Sequence, residues 1–300
     1  MGFNQSHLAG SKLHGLLFST NIILFELMML IKSKIGQIIV IYLIVQFVWW
    51  VKLHLIGGLD TNEAYLFNIS YGFIGLIGGI NGIFISTRFW DGTKSLVGKA
   101  ILLLSCGLLF EWIASLIWGY YNIILAIEIP YPSIADVFFF GMIPFYAFAM
   151  INLAAASGIK ISLQQYNAKV LAVIIPLIML TISYLLFLTE GLDTSNPVRM
   201  FFDLAYPLGE AITLSIAILT YLLTKKYLGG MMKKIVKFVL LAYLVQFVAD
   251  YWFLFKALQG TYYNGGMVDL LYAVALASMS IAILQFGEVV DKIGARKRVK

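Results

Sequence analysis

Eight stretches of this chain run for about 18 or more residues with almost no charge, the length a helix needs to cross a hydrocarbon layer. Inside hydrocarbon a backbone must bond its own N–H and C=O groups, so only helices and closed barrels cross. Barrel strands alternate polar with apolar side chains, and these runs do not. The chain is 61% hydrophobic and 12% charged, about half the charged fraction of a soluble protein. The sequence therefore predicts an all-α polytopic membrane protein with eight transmembrane helices, near 35–56, 65–86, 100–121, 135–156, 170–189, 201–224, 236–256 and 267–286.

Charge then predicts orientation. With the N-terminus in the cytoplasm, every Lys and Arg except Lys52, Arg199 and Lys256 falls to the cytoplasmic side, as the positive-inside rule requires. Both termini are expected there, and the formal charge of +6 reads as topology rather than as a footprint for nucleic acid. Trp49, Trp50, Trp118, Tyr120, Tyr121, Tyr131, Tyr262 and Tyr263 fall at the outer boundary, where amphipathic rings sit well. The first 34 residues fit less easily. Their apolar run Gly15–Ile31 carries Asn21 and Glu26 and lacks a small-residue cleavage site, so residues 1–34 are expected to be an interfacial or dispensable segment. Residues 35–286 form the membrane domain and 287–300 a basic cytoplasmic tail.

An acid–aromatic pair recurs along the membrane domain. Asn68 and Tyr71, Asp136 and Phe139, Asp203 and Tyr206, and Asp269 and Tyr272 are each three residues apart, and successive pairs are separated by 68, 67 and 66 residues. Each opens an apolar run that follows another. The pattern predicts four tandem, parallel helical hairpins with repeats near 35–94, 95–164, 165–230 and 231–286. Tyr42-Leu-Ile-Val-Gln46-Phe-Val in the first resembles Tyr243-Leu-Val-Gln246-Phe-Val in the fourth. Ser133 and Asp136 have capping-box spacing, Asn196-Pro197 reads as a cap with proline at the first helical position, and Asp269 is placed to favour a helix N-terminus. Asp203 would lie nearly two turns in, beyond capping range.

Acids within a bilayer are costly unless wet or partnered, which makes them candidates for function. Glu111, Asp203, Glu210 and Asp250 are such acids. Asp203, Tyr206 and Glu210 share one helical face, with the carboxylates about 10 Å apart along the axis; Gln246 and Asp250 share a face of the next helix. No Lys or Arg is expected at comparable depth, so these acids must be protonated, hydrogen-bonded, hydrated or paired with a cation. Together with Asp136, Asp269 and Tyr272 they form the expected ligand-binding set. Interhelical polar bonding is the competing structural role. Pro144, Pro176 and Pro207 are expected to interrupt spans four to six.

Enzymatic signatures are missing. The three histidines, His7, His14 and His54, fit no zinc motif and no nucleophile triad, and the glycines Gly75, Gly78, Gly79 and Gly82 read as a close-packing face rather than a phosphate loop. The lone Cys106 excludes an internal disulfide and a thiol metal cluster. The expectation is a non-enzyme without cofactor or metal. Juxtamembrane lysines from Lys225 to Lys237 and the tail from Lys292 to Lys300 can attract anionic lipid headgroups.

Pro130-Tyr131-Pro132-Ser133-Ile134-Ala135-Asp136-Val137-Phe138-Phe139 resembles a "YPS-x-AD-x-x-F" segment of the multi-pass sensor regions of archaeal and bacterial histidine kinases and diguanylate cyclases. Asp203-Leu204-Ala205-Tyr206-Pro207-Leu208-Gly209-Glu210 resembles their "D-x-x-YP-L-x-D" element, with Glu at the last acid. Asp269 and Tyr272 continue the pattern without proline, while Asn68 and Tyr71 depart further. The resemblance implies a sensor or receptor-like module in a prokaryotic cell membrane, signalling to a separate cytoplasmic partner. It does not imply kinase or cyclase activity. The competing expectations are a transporter or channel for a cation, protons or a small amine, and a structural subunit of a membrane complex.

Overall fold

Each apolar run closes its backbone hydrogen bonds as a helix in a computed structural model, which describes residues 33–187, 195–225 and 230–298. Eight long helices are found among the described residues: α1 (Lys34–Ile56), α2 (Asn62–Phe89), α3 (Leu96–Gly119), α4 (Ile134–Ala156), α5 (Tyr166–Phe187), α6 (Pro197–Thr224), α7 (Gly230–Leu258) and α8 (Met267–Arg298). All eight are long and apolar enough to cross a bilayer, so the chain belongs to the multi-pass helical membrane proteins. The expected interfacial segment 1–34 lies almost wholly outside the described residues. The 287–300 tail is not a separate unit, because α8 continues through it to Arg298.

Local chemistry sets the helix ends. Ser33 and Ser95 accept backbone N–H groups from Gly36 and Gly98 at the starts of α1 and α3, each satisfying one of the donors a first turn leaves open. Ser133 and Asp136 form the expected capping box on α4. Asn196 takes the N–H groups of Val198 and Arg199 ahead of Pro197. α1 stops at Gly57, whose φ of 70° is left-handed and free of cost without a Cβ. Beyond α3, five residues, Tyr120–Ile124, form a single π turn. The prolines depart from expectation: α4, α5 and α6 run unbroken through Pro144, Pro176 and Pro207. Hydroxyls of Ser183 on α5 and Tyr251 on α7 converge on the Pro207 carbonyl at 2.8 and 2.9 Å, so this proline sits in a three-helix junction rather than at a gap.

The helices α2, α3, α4, α6, α7 and α8 pack one against the next, and α8 returns to α2, which closes a six-membered circuit. α1 lies against α8 and α2, and α5 against α6. In the apolar window of α8 72% of residues are buried, against 6% in α5; α8 is therefore an inner helix and α5 an outer one. The glycine face of α2 permits the closest approach. A Cβ on Gly78 would lie 2.0 Å from Ser280 Oγ of α8, and one on Gly82 2.1 Å from Ser105 Oγ of α3. Small residues let membrane helices pack this closely.

The eight helices leave two differently tied ends. At the tail end, the Trp90 indole donates to the Phe286 carbonyl at 3.2 Å and the Ser33 N–H to Glu288 at 3.1 Å. At the opposite, rim end, Asp60 of the α1–α2 connection bonds Asn264 of the α7–α8 connection, and Tyr131 of the α3–α4 connection bonds Asp203 near the start of α6.

Candidate functional site

The acids and tyrosines expected to share one pocket divide into three constellations. Two are at the rim and one lies inside the six-helix circuit.

The first rim constellation joins α4 to α6. Asp136 accepts the Ser133 N–H at 2.7 Å as part of its cap, and the Tyr206 hydroxyl reaches its side-chain and backbone oxygens, both at 3.2 Å. In return, Tyr131 donates to Asp203 at 2.8 Å. Arg199 lies one turn before Asp203 with Nε 3.7 Å from its carboxylate, and its guanidinium stands 5.9 Å from the Tyr131 ring centre. The expectation that no cation neutralises the acids is thus corrected at Asp203. Burial and the neighbouring Asp203 carboxylate push the Tyr131 hydroxyl well above the ordinary tyrosine range.

The second rim constellation joins the α1–α2 connection to the α7–α8 connection. Asp269, 1% exposed, accepts the Gly265 N–H at 2.7 Å and the Tyr262 hydroxyl at 2.8 Å. Asp60 accepts the backbone N–H of Asn264 at 2.6 Å, and Asn68 donates to the Asn264 side chain at 3.1 Å. Burial, then the Asp269 carboxylate, raise the Tyr262 hydroxyl. Every polar atom of Asp269 named here serves the turn before α8, as its position near a helix start suggested.

The inner constellation draws one or more polar groups from each helix of the circuit. α3 supplies Glu111 and α6 Glu210, 2% and 1% exposed. α7 supplies Tyr243, Gln246 and Asp250, α8 Tyr272, α4 Tyr146 and α2 Tyr71. Tyr243 donates to Glu210 Oε2 at 2.6 Å, a length typical of hydrogen bonds to carboxylates. Gln246 Nε2 lies 3.3 and 3.2 Å from the two Asp250 oxygens and also faces Glu111. Asp250 in turn faces Glu210 and Tyr272. Rings complete the walls: Tyr146 stands edge-on to Tyr243 at 5.7 Å, and Tyr71 stacks with Tyr272 at 6.4 Å.

Two features make this constellation unusual. Buried polar atoms nearly always find a partner, yet Glu111 Oε2 and Glu210 Oε1 have none; Asn68 Oδ1 and Trp112 Nε1 are the other such atoms among the described residues. Asp250 and Tyr272 are also only partly buried, unlike Glu111 and Glu210. Two surface recesses lie elsewhere. One, of 290 Å³, is lined by Val45, Val48, Trp49, Lys52 and Glu63, and one, of 90 Å³, lies beside Trp252, Lys256 and Tyr262. Neither includes a carboxylate of the inner constellation, and the chemistry favours the latter as the site. No three His, Cys, Asp or Glu side chains among the described residues are arranged to hold a metal ion.

Of the expected site residues, Glu111, Glu210, Gln246, Asp250 and Tyr272 come together. Asp136, Asp203, Tyr206 and Asp269 do not join them. Asp203 and Glu210 share a helix face as expected, but that face spans two constellations, with Asp203 in the rim and Glu210 inside. Sequence reasoning missed Tyr71 and Tyr146 as walls and Tyr243 as a partner. For Tyr243 a signal was present: Tyr243, Gln246 and Asp250 have the same i, i+3, i+7 spacing as Asp203, Tyr206 and Glu210. Comparison with known proteins finds no matching family, curated relative or solved structure.

Proposed function

We propose that the chain is a non-enzymatic, sensor or receptor-like membrane module that takes its cue in the inner Tyr–carboxylate constellation and passes helix movement to a separate partner at the tail end. The observation that carries this reading is the meeting of Glu111, Glu210 and Asp250, from three helices, with two carboxyl oxygens left unpartnered. Keeping such groups dry and unsatisfied costs on the order of 1–3 kcal/mol each, an expense that packing alone does not require. A cue that satisfied them would gain that energy and change how α3, α6 and α7 sit together.

The charge pattern supports a cytoplasmic tail end, with both chain ends there and the rim facing outward, in the cell membrane of a prokaryote. Lys233, Lys234 and Lys237 would then lie beside anionic headgroups. Contacts between repeat positions support the four-hairpin reading: Asp136 meets Tyr206 at the rim, and Tyr71 meets Tyr272 in the inner constellation. The likeness to archaeal and bacterial sensor regions favours signalling over transport.

Transport of protons or a small cation is the second reading, favoured by the water-touched surface of Asp250 and Tyr272. Reconstituted proteoliposomes separate the two. Sensing predicts no net flux under a pH or amine gradient, together with a changed distance between spin labels at the tail ends of α1 and α8. Flux that Glu210→Gln abolishes would replace the sensor reading with transport. Labels that stay still under every gradient, in a protein without flux, would overturn both.

A further inference from the structure

The sealed Glu210 carboxyl faces another carboxyl. Glu210 Oε2 is taken by Tyr243 at 2.6 Å, Oε1 receives no N–H or O–H donor, and the carboxyl, in a residue 1% exposed, lies against that of Asp250. Two carboxylates can make such a contact only with a proton between them, since each alone offers acceptors and no donor. A positively charged side chain would be the alternative, and the sequence holds no Lys or Arg from Ala100 to Gly158, from Met200 to Thr224, from Phe238 to Phe255 or from Val268 to Val290. A metal would be another, but no group of three His, Cys, Asp or Glu side chains among the described residues is placed to hold one. The titratable groups coupled to the pair by charge or hydrogen bond are Tyr71 from α2, Glu111 from α3, Tyr146 from α4, Tyr206 from the rim part of α6, Tyr243 and Tyr251 from α7, and Tyr272 from α8. One is a carboxyl and the rest are neutral phenols.

The two acids differ in access. Glu210 is sealed, and Asp250 keeps surface that water can touch. A proton is the one ligand that needs no cavity, so it alone can occupy the sealed position without repacking the circuit.

We propose that Glu210 and Asp250 form a two-carboxyl proton-binding site, with Asp250 as its water-side port and Glu210 as its sealed acceptor. A hydronium ion gives its proton to an Asp250 oxygen and leaves as water. The Asp250 O–H then donates to Glu210 Oε1, and full transfer forms the Glu210 O–H bond as the Asp250 O–H bond breaks. This deepens the sensor reading, on which it rests, by naming the proton as the cue.

The test is infrared difference spectroscopy of the full chain in lipid nanodiscs, following the C=O stretch of protonated carboxyl groups through a pH titration and after transfer to D2O. A titrating band should disappear in Glu210→Gln and persist in Glu128→Gln, which alters an exposed acid of the α3–α4 connection. In Asp250→Asn the surviving band should exchange with D2O at least about tenfold more slowly, because its port is gone. Glutamate-specific and aspartate-specific carbon-13 labelling of the unmutated chain gives the assignment independently, should a variant fail to fold. A wild-type spectrum with no band that shifts with labelled glutamate, or unchanged exchange in Asp250→Asn, overturns the site. The sensor reading fails separately. A proton bound by the pair without movement of the tail-end spin labels sinks sensing and leaves this site standing, whereas label movement that persists in both variants does the reverse.

Discussion

The Tyr206 hydroxyl on α6 stands 3.2 Å from the Asp136 carboxylate at the start of α4, and the tie is reciprocal, because Tyr131 just before α4 bonds Asp203 on α6 at 2.8 Å. Two hydrogen bonds thereby join α4 and the turn before it to α6. The two ties should act as one clamp. Tyr206→Phe and Tyr131→Phe should each destabilise by about 1 kcal/mol. In double-mutant cycles, Tyr206→Phe with Asp136→Asn and Tyr131→Phe with Asp203→Asn should each show coupling of about 0.6 kcal/mol, the scale found for membrane hydrogen bonds. Reversible unfolding in mixed micelles measures both, and additive pairs would mean that the bonds do not form.

The same tyrosines set an alkaline limit. Tyr131 and Tyr262 ionise less readily than a free tyrosine, chiefly through burial and then through Asp203 and Asp269 respectively. Their folded pKa values lie above the ordinary value of 10.0, so the folded chain holds protons that the unfolded chain releases. This contribution is complete below the unfolded value and is lost as pH rises through the folded one. Thermal unfolding should therefore be insensitive to these groups near neutrality and fall above pH 10. A Tyr131→Phe/Tyr262→Phe variant should start less stable and lose less over that alkaline window. An identical alkaline slope in the variant would refute the assignment.

How much of this was legible in the chain depended on the range of the interaction. The capping box of Ser133 and Asp136 and the cap at Asn196 are local, and the structure has both. Glu111, Glu210 and Asp250 stood out because isolated acids in apolar runs need a reason. The tie from Tyr131 to Asp203 crosses 72 residues, and it follows from α4 lying beside α6, which no local pattern encodes. The different positions of α5 and α8 were equally hidden. Both are apolar, and lipid and protein interior are similarly apolar solvents for a side chain, so hydropathy could not say which helix would be enclosed. The prolines misled for a related reason. Proline removes one N–H, but whether a helix breaks there depends on its neighbours, and at Pro207 Ser183 and Tyr251 support the backbone from two sides.

The glycine face of α2 should tolerate no methyl group at its centre. A Cβ on Gly78 would meet Ser280 Oγ at 2.0 Å and Ser280 Cβ at 2.5 Å, and the second of these atoms cannot rotate away. Gly78→Ala should push α2 from α8 and destabilise by about 1–3 kcal/mol, the usual cost of overpacking. Gly287→Ala is the control, since its nearest neighbour, Ile85 Cδ1, lies at 3.3 Å on a flexible side chain. Melting temperatures in one detergent decide the matter, and equal shifts for the two variants would contradict the packing.

Removing one side of the bond between Tyr243 and Glu210 should cost more than removing both. Tyr243→Phe deletes the donor held 2.6 Å from Glu210 Oε2 and leaves a sealed carboxyl whose remaining contact is with the Asp250 carboxyl. The expected loss is about 1–3 kcal/mol, the penalty of an unsatisfied buried group rather than the smaller net value of the bond. Tyr243→Phe/Glu210→Leu takes away the stranded acid together with its donor at nearly constant volume. The double variant should therefore unfold at a higher temperature than Tyr243→Phe alone, even though it differs from the natural sequence at one more position. Its infrared spectrum should also lack the titrating carboxyl band, so stability and proton binding would part company at a single residue. A double variant less stable than Tyr243→Phe would mean that the contact between Glu210 and Asp250 outweighs the stranded Oε2, and that the missing Tyr243 donor is not what shapes this core.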